Sequence, residues 1–164
     1  MKENREKRMK RLLIGLVLVG TATTSALAHD FEVGAIAIQH PWVKEAPTAA
    51  PVIAGYLELQ NGGTTADRFV GGSSAEAKRV EIHETTTLDG VAKMRRLTEG
   101  VALNAGETVE LKPGGIHLMI VEPTKQFTAG DKVSVTLEFE KAGKVDVQFV
   151  VKKTPPNDPQ HSQD

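Results

Sequence analysis

The chain has 164 residues and a formal net charge of −1, and this length is sufficient for one domain with its own core. It contains no cysteine. Disulfides, thiolate metal ligands and cysteine nucleophiles are therefore excluded, so the stability of the domain must come from its core.

The first 28 residues have the three-part pattern of a secretory signal peptide. Residues 2–11 carry six Lys and Arg, an apolar stretch follows, and the segment ends in Ala26-Leu27-Ala28. A transmembrane anchor is the alternative, but the densely apolar run covers only residues 12–19. Crossing a bilayer takes roughly 20 residues. We therefore expect residues 1–28 to be removed on export to the periplasm, which leaves no membrane span.

Removal of this segment changes the charge of the chain. Lys and Arg fall from 20 to 14 and Asp and Glu from 21 to 19, so the mature chain has a net charge of −5. An acidic domain without a basic cluster argues against nucleic acid and anionic membranes as partners.

From residue 31 onward, apolar and polar residues alternate as they do in strands. The clearest examples are residues 132–140 and 144–151, which a short turn joins into a terminal hairpin. Gly-rich turns separate further candidate strands at 67–71, 79–86, 91–97, 107–111 and 116–121. The pattern predicts an all-β fold, a cupredoxin-like or immunoglobulin-like Greek-key β-sandwich of eight to nine strands. We expect it to occupy residues 29–151, followed by a disordered polar tail at 152–164.

Only two methionines, Met94 and Met119, lie beyond the signal peptide. Met119 follows His117 by two residues within the predicted strand 116–121, so both side chains lie on one face. If the alternate residues Ile116, Leu118 and Ile120 face the core, Met119 faces outward, which is unusual for a methionine that only fills space.

Met94 is related to His83 through a predicted hairpin, in one of two registers. A four-residue loop, residues 87–90, pairs His83 directly with Met94. A two-residue Asp89-Gly90 turn instead places His83 opposite Arg96, with Met94 as a diagonal neighbour on the same face. In both cases two His–Met pairs are available to converge on one side of the sandwich, whereas a three-residue loop would break the arrangement.

Two imidazoles and two thioethers form a neutral, soft donor set. Thioether sulfur adds little for Zn²⁺ or Mg²⁺ but suits Cu(I), and imidazole is a good neutral copper ligand. The sequence therefore predicts a Cu(I) site made of His83, Met94, His117 and Met119, with one ion per chain.

The spacing of these four residues, His83-x10-Met94-x22-His117-x-Met119, resembles the His-x10-Met-x21-His-x-Met motif of the PCuAC-type periplasmic copper chaperones. The likeness extends from about residue 40 to 151 and includes the segments His40-Pro41-Trp42, Ala54-Gly55-Tyr56-Leu57, Asp89-Gly90-Val91 and Pro113-Gly114-Gly115. The resemblance implies a cupredoxin-like sandwich and Cu(I) bound by the four matching residues. It also implies copper supply to the dinuclear copper centre of cytochrome c oxidase.

The middle spacing is one residue longer than in that motif. We expect the extra residue in the connection 98–107, where a loop absorbs it. A shift of strand register instead would turn His117 and Met119 away from Met94.

These features predict a monomeric metal carrier rather than an enzyme. The resemblance implies that its partner is the oxidase subunit that carries the dinuclear copper centre, or another copper chaperone. A periplasmic copper buffer for tolerance would use the same site, and an adhesive or structural β-sandwich with incidental histidines is a third interpretation.

Three further histidines remain. After cleavage His29 is the N-terminal residue, and its α-amine and ring could chelate Cu(II), as in a histidine-brace copper enzyme. His161 in the tail is another candidate ligand for a second copper, and His40 is structural or near the metal. The chain has no Ser-His-Asp order, phosphate-binding glycine loop or zinc motif.

Overall fold

The computed structural model describes residues 31–153, which form eleven β-strands and no helix. The predicted signal peptide, His29, His161 and residues 154–164 lie outside the described residues. The strands are β1 Phe31–Val33, β2 Ile36–Lys44, β3 Val52–Asn61, β4 Asp67–Ser73, β5 Ala77–Leu88, β6 Val91–Arg96, β7 Val101–Leu103, β8 Thr108–Leu111, β9 Ile116–Pro123, β10 Lys132–Phe139 and β11 Gly143–Lys152. Over residues 31–153, no helix is available to cross a membrane.

The all-β prediction is confirmed, but the predicted number of strands is too low. One addition comes at the start of the domain, where Gly34, with φ +58°, turns the chain between β1 and β2. The other addition is β7, three residues long and paired with β4. It lies inside the connection 98–107, which was predicted to be a loop, and it is too short to show a period of two.

Seven of these strands close into a ring by hydrogen bonding in the order β2–β11–β10–β4–β5–β9–β3, and β3 pairs back to β2. The contact between β11 and β2 is parallel, and the other pairings among residues 31–153 are antiparallel. The short strands β1, β6, β7 and β8 each attach to one strand of this ring.

The interior of the ring is filled by aliphatic and aromatic side chains. The alternation predicted for the terminal hairpin is confirmed, since the inward residues of β10 and β11 are buried while their neighbours are more exposed. Phe69 and Phe139 lie in contact at the centre, with ring centroids 5.3 Å apart. On β9, Leu118 and Ile120 have no exposed surface, so this strand faces the core with its even-numbered residues, as predicted.

The partly buried carboxylate of Asp67 connects the start of β4 to the loop between β10 and β11. Oδ1 of Asp67 accepts hydrogen bonds from the backbone N–H groups of Arg68 at 2.7 Å and Lys141 at 2.9 Å. Its Oδ2 accepts from the N–H of Ala142 at 2.9 Å. Desolvation raises the pKa of Asp67, but the three amides and the Lys141 charge outweigh it, so the net pKa lies below the ordinary value.

We expect Asp67→Asn to destabilise the fold by about 1.5–3 kcal/mol at pH 7, because charge-assisted hydrogen bonds are lost. Since the folded pKa is the lower one, this contribution is present above the unfolded pKa of Asp and is lost as the pH falls through the folded pKa. Urea unfolding at pH 7 and at pH 3 should show the difference between wild type and variant shrinking. Asp146→Asn, which replaces a carboxylate bonded to the Thr136 hydroxyl, is the control and should have a small effect at both pH values. An equal loss in both variants would contradict the assignment.

Candidate metal centre

The pairing of β5 with β9 brings the two predicted histidine ligands face to face. His83 is directly opposite His117 in this antiparallel ladder, and their ring centroids are 6.2 Å apart. His117 is 5% exposed and the side chain of His83 is 17% exposed. Both rings therefore lie on the outer face of the sheet, yet are largely shielded from solvent.

Met119 lies two residues along the same face of β9 from His117. Its neighbours across the ladders are Glu81 on β5 and Ala54 on β3. Met119 is partly buried. The expectation that His117 and Met119 share a face opposite the core residues Leu118 and Ile120 therefore agrees with the structure.

Met94 reaches the same face through the hairpin β5–β6. Its turn is the two-residue one, because Leu88 pairs with Val91 and both Asp89 and Gly90 have positive φ, +51° and +75°. These angles are those that a type I′ turn requires, and Asp-Gly is a preferred sequence for it.

The register of this hairpin is therefore the second of the two predicted. His83 pairs with Arg96 and Met94 pairs with Thr85, so Met94 is a diagonal neighbour of His83 on the same face. Direct pairing of His83 with Met94 is wrong. Met94 is 55% exposed, because within the described part of the chain β6 pairs with β5 alone and projects from the ring.

The longer spacing between Met94 and His117 does not disturb this arrangement. His83 remains directly opposite His117, so the extra residue is taken up before β9 begins. The side chains of His83, Met94, His117 and Met119 thus project from one face of the three adjacent strands β6, β5 and β9.

Hydrogen bonds determine which nitrogen of each histidine carries a lone pair. The Nδ1 of His117 lies 2.9 Å from the carbonyl oxygen of Gly115, which only accepts, so Nδ1–H donates and Nε2 is free. The Nε2 of His83 lies 2.9 Å from Oε2 of Glu81, and its Nδ1 is buried with no hydrogen-bond partner among residues 31–153. Such an atom is rare in native proteins and calls for an explanation. One explanation that fits the residues present is a soft cation bonded to the lone pair of the His83 Nδ1.

Glu81 is the charged group nearest to these histidines. The hydrogen bond with His83 is the main cause that holds its pKa below the ordinary value, with Arg79 and Arg96 adding to the effect against desolvation. No group of three or more His, Cys, Asp or Glu residues in the 31–153 range is arranged to hold a metal.

Aromatic rings extend from the histidine pair across the neighbouring strands. Tyr56 on β3 lies 6.4 Å from His117 and 4.5 Å from Trp42 on β2, measured between ring centroids. Burial raises the pKa of Tyr56, so its hydroxyl is un-ionised at neutral pH. Trp42 is buried, whereas His40 is exposed at a bulge with φ +52°. Tyr56 and Glu81 were not assigned a role by the sequence patterns.

A family model described as "Putative lipoprotein LpqE-like" matches residues 36–151. The chain belongs to the LpqE-like family. A putative lipoprotein of Leifsonia xyli subsp. xyli is 32% identical over 117 residues, which are 71% of this chain and 69% of that protein.

Solved structures of PCuAC domains have the same fold as this LpqE-like chain. The copper-bound PCuAC domain from PmoF2 is 28% identical with a TM-score of 0.65, over 77% of this chain and 99% of that domain. The apo PmoF2 PCuAC domain is 30% identical with a TM-score of 0.64, over 76% and 94% of the two chains. The predicted resemblance to the PCuAC-type family and the cupredoxin-like fold are thereby confirmed.

We expect Gly90→Ala to loosen the hairpin that carries Met94, because a non-glycine residue in the left-handed region costs about 1–2 kcal/mol. An added Cβ meets nothing within 4 Å, so the cost is purely conformational. Amide hydrogen exchange of β6 should then speed up about 5-fold or more. Gly114→Ala is the matched control, since Gly114 has φ +76° and equally open surroundings in the turn before β9. Equal acceleration of β6 in both variants would contradict the turn assignment.

Proposed function

We propose that this protein is an exported carrier of Cu(I), which binds one ion through His83, Met94, His117 and Met119 and transfers it to an acceptor protein without catalytic turnover. The observation that carries the proposal is the buried, unpartnered Nδ1 of His83 on the same sheet face as a second histidine and both methionines. Copper binding by the similar PmoF2 domain supports it.

The donor set favours Cu(I) over other available metals. Two neutral imidazoles and two thioethers leave the bound ion with one positive charge, and soft sulfur ligands select Cu(I) over Zn²⁺ and Mg²⁺. Because no cysteine is available, affinity is achieved without a thiolate. Such a site holds copper tightly while permitting exchange with stronger ligands.

The four proposed ligands differ in accessibility, and this difference suggests the order of transfer. His117 is buried and its ring is oriented by Gly115, whereas Met94 is more than half exposed on a strand paired only with β5. We infer that an acceptor ligand displaces Met94 first. The ion then passes to the acceptor while the histidines still hold it, so that copper is never free.

The acceptor must therefore approach along β6, and the charge there indicates what kind of surface it presents. Three of the six residues of this strand are basic and exposed: Arg96 lies on the same face as Met94, and Lys93 and Arg95 lie on the opposite face of the strand. An acidic rim around the acceptor site would complement them. The acceptor that we propose is the dinuclear copper centre of cytochrome c oxidase.

Export to the periplasm is also part of the proposal. The N-terminal pattern of residues 1–28 supports it, as does membership of a family described as lipoprotein-like. The 164 residues offer no cysteine to which a thiol-linked lipid could be attached.

Buffering of excess copper would use the same four residues, so growth conditions separate it from delivery. A strain lacking a delivery protein loses oxidase activity when copper is scarce and recovers when copper is added. A strain lacking a buffer becomes sensitive when copper is abundant. We expect the first phenotype, and the second alone would assign the protein to tolerance.

We expect the purified protein to bind one equivalent of Cu(I) in competition with a chromophoric chelator. Met94→Leu/Met119→Leu should lower the affinity at least about 100-fold, equivalent to about 2.7 kcal/mol, because two of four bonds to the metal are lost. Val91→Leu is the control, as Val91 is exposed on β6 but alternates with Met94 in facing. Unchanged affinity in the double variant would move the copper elsewhere, and no binding by wild type would refute the proposal.

We expect Lys93→Glu/Arg95→Glu to slow copper transfer to the apo dinuclear-copper domain of the oxidase about 10-fold at low ionic strength, with a smaller effect at high salt. Lys132→Glu/Lys144→Glu on β10 and β11 makes the same change in net charge and also breaks one surface ion pair. Stopped-flow transfer rates should be reduced only in the first variant. Equal slowing by both would show that net charge, rather than docking at β6, controls the rate.

A further inference from the structure

Glu81 is held in one orientation by contacts with both of its carboxylate oxygens. Oε2 lies 2.9 Å from Nε2 of His83. Oε1 accepts from Nε of Arg79 at 2.7 Å and lies 3.2 Å from a terminal guanidinium nitrogen of Arg96. The Glu81 side chain is only 11% exposed, so it is more shielded than either arginine.

Strand alternation explains why these groups meet. Arg79, Glu81 and His83 are alternate residues of β5, so their side chains lie on one face of the strand. Arg96 on β6 is directly opposite His83, so it reaches back to Glu81 across the hairpin. The ion pair between Glu81 and Arg96 therefore links the strand that carries His83 to the strand that carries Met94.

The proton on the His83 ring follows from this arrangement. A carboxylate flanked by two guanidinium groups is ionised and only accepts hydrogen bonds. The hydrogen bond between Glu81 and His83 therefore uses an N–H at Nε2, which leaves Nδ1 as the ring nitrogen that can give a lone pair to a metal. Nδ1 is the buried atom that has no partner within the described structure.

We propose that Glu81 is a positioning residue that commits His83 to binding Cu(I) through Nδ1, in contrast to His117, which binds through Nε2. This inference rests on the proposed function. Glu81 fixes the rotation of the His83 ring and stabilises the partial positive charge that the ring acquires when its lone pair is given to a metal. Hydrogen-bond partners of this kind change metal affinity typically 10- to 100-fold.

Glu81 does not itself join the donor set. Its oxygens are hard donors that suit divalent cations more than Cu(I), and both are already engaged, by His83 and by the arginines. Arg79 and Arg96 thus prevent the carboxylate from turning toward the metal, and the set of ligands remains neutral.

The test combines NMR of the ¹⁵N-imidazole groups with Cu(I) affinity. In the apo wild type at pH 8, His83 should show a protonated Nε2 whose hydrogen is protected from exchange. When Cu(I) is added, this hydrogen should persist while the Nδ1 resonance shifts. Loss of the Nε2 hydrogen on loading would show that copper binds Nε2 and would overturn the proposal.

Affinity measurements provide the second readout. Glu81→Leu should weaken Cu(I) binding about 10- to 100-fold and abolish the protected Nε2–H signal. Glu81→Gln keeps a carbonyl acceptor and should restore part of the affinity and the signal, which a purely structural role of the charge would not predict. If Glu81→Leu does not fold, the affinity of the Gln variant and the wild-type spectra still test whether Glu81 positions His83 for binding through Nδ1.

Glu84→Leu is the matched control. Glu84 is on the same strand and forms a 2.6 Å ion pair with Arg95 on β6, but it alternates in facing with His83. Its loss should leave Cu(I) affinity and the His83 spectrum unchanged. Equal weakening by Glu81→Leu and Glu84→Leu would reject a positioning role while leaving copper binding intact. Failure of the wild type to bind Cu(I) would instead refute the proposed function.

Discussion

The candidate centre depends on one ladder, the antiparallel pairing of β5 with β9 in the register that sets His83 opposite His117. These strands are neighbours in the ring, but the short strands β6, β7 and β8 lie between them in the sequence. A slip of one residue would turn His117 toward the core and expose Leu118. Because Leu118 and Ile120 are completely buried, the hydrophobic core itself enforces the register that brings the two imidazoles together.

Local patterns carried much of this information. The alternation around Leu118 predicted that His117 and Met119 share the outer face, and the two-residue Asp89-Gly90 turn that the structure contains was one of the alternatives that the sequence left open. The pairing of β5 with β9 and the closure of the ring through β2 depend on contacts distant in sequence, for which a single sequence holds no register signal. The three-residue strand β7 is too short for periodicity to reveal.

Glu81 illustrates the same boundary between local and distant information. Its separation of two residues from His83 placed both on one face of a predicted strand. Its other partner, Arg96, is reached only when the turn of the hairpin is known, since the two possible turns put different residues opposite His83. Likewise, Tyr56 approaches His117 because β3 pairs with β9, and no local sequence pattern predicts that contact.

The two-residue turn at Asp89 and Gly90 determines which residues of β6 lie on the same face of the hairpin as His83. Met94 has basic neighbours in the strand, Lys93 and Arg95, which face the opposite side. A change that shifts β6 by one position would therefore replace a neutral thioether at the cluster with the cation of Lys93 or Arg95. Lengthening by one residue outside this ladder, as between Met94 and His117, has no such consequence. Loops of the connection before β9 can thus change in length without turning Met94, whereas a shift in the pairing of β6 with β5 keeps Met94 on its present face only if it is an even number of positions.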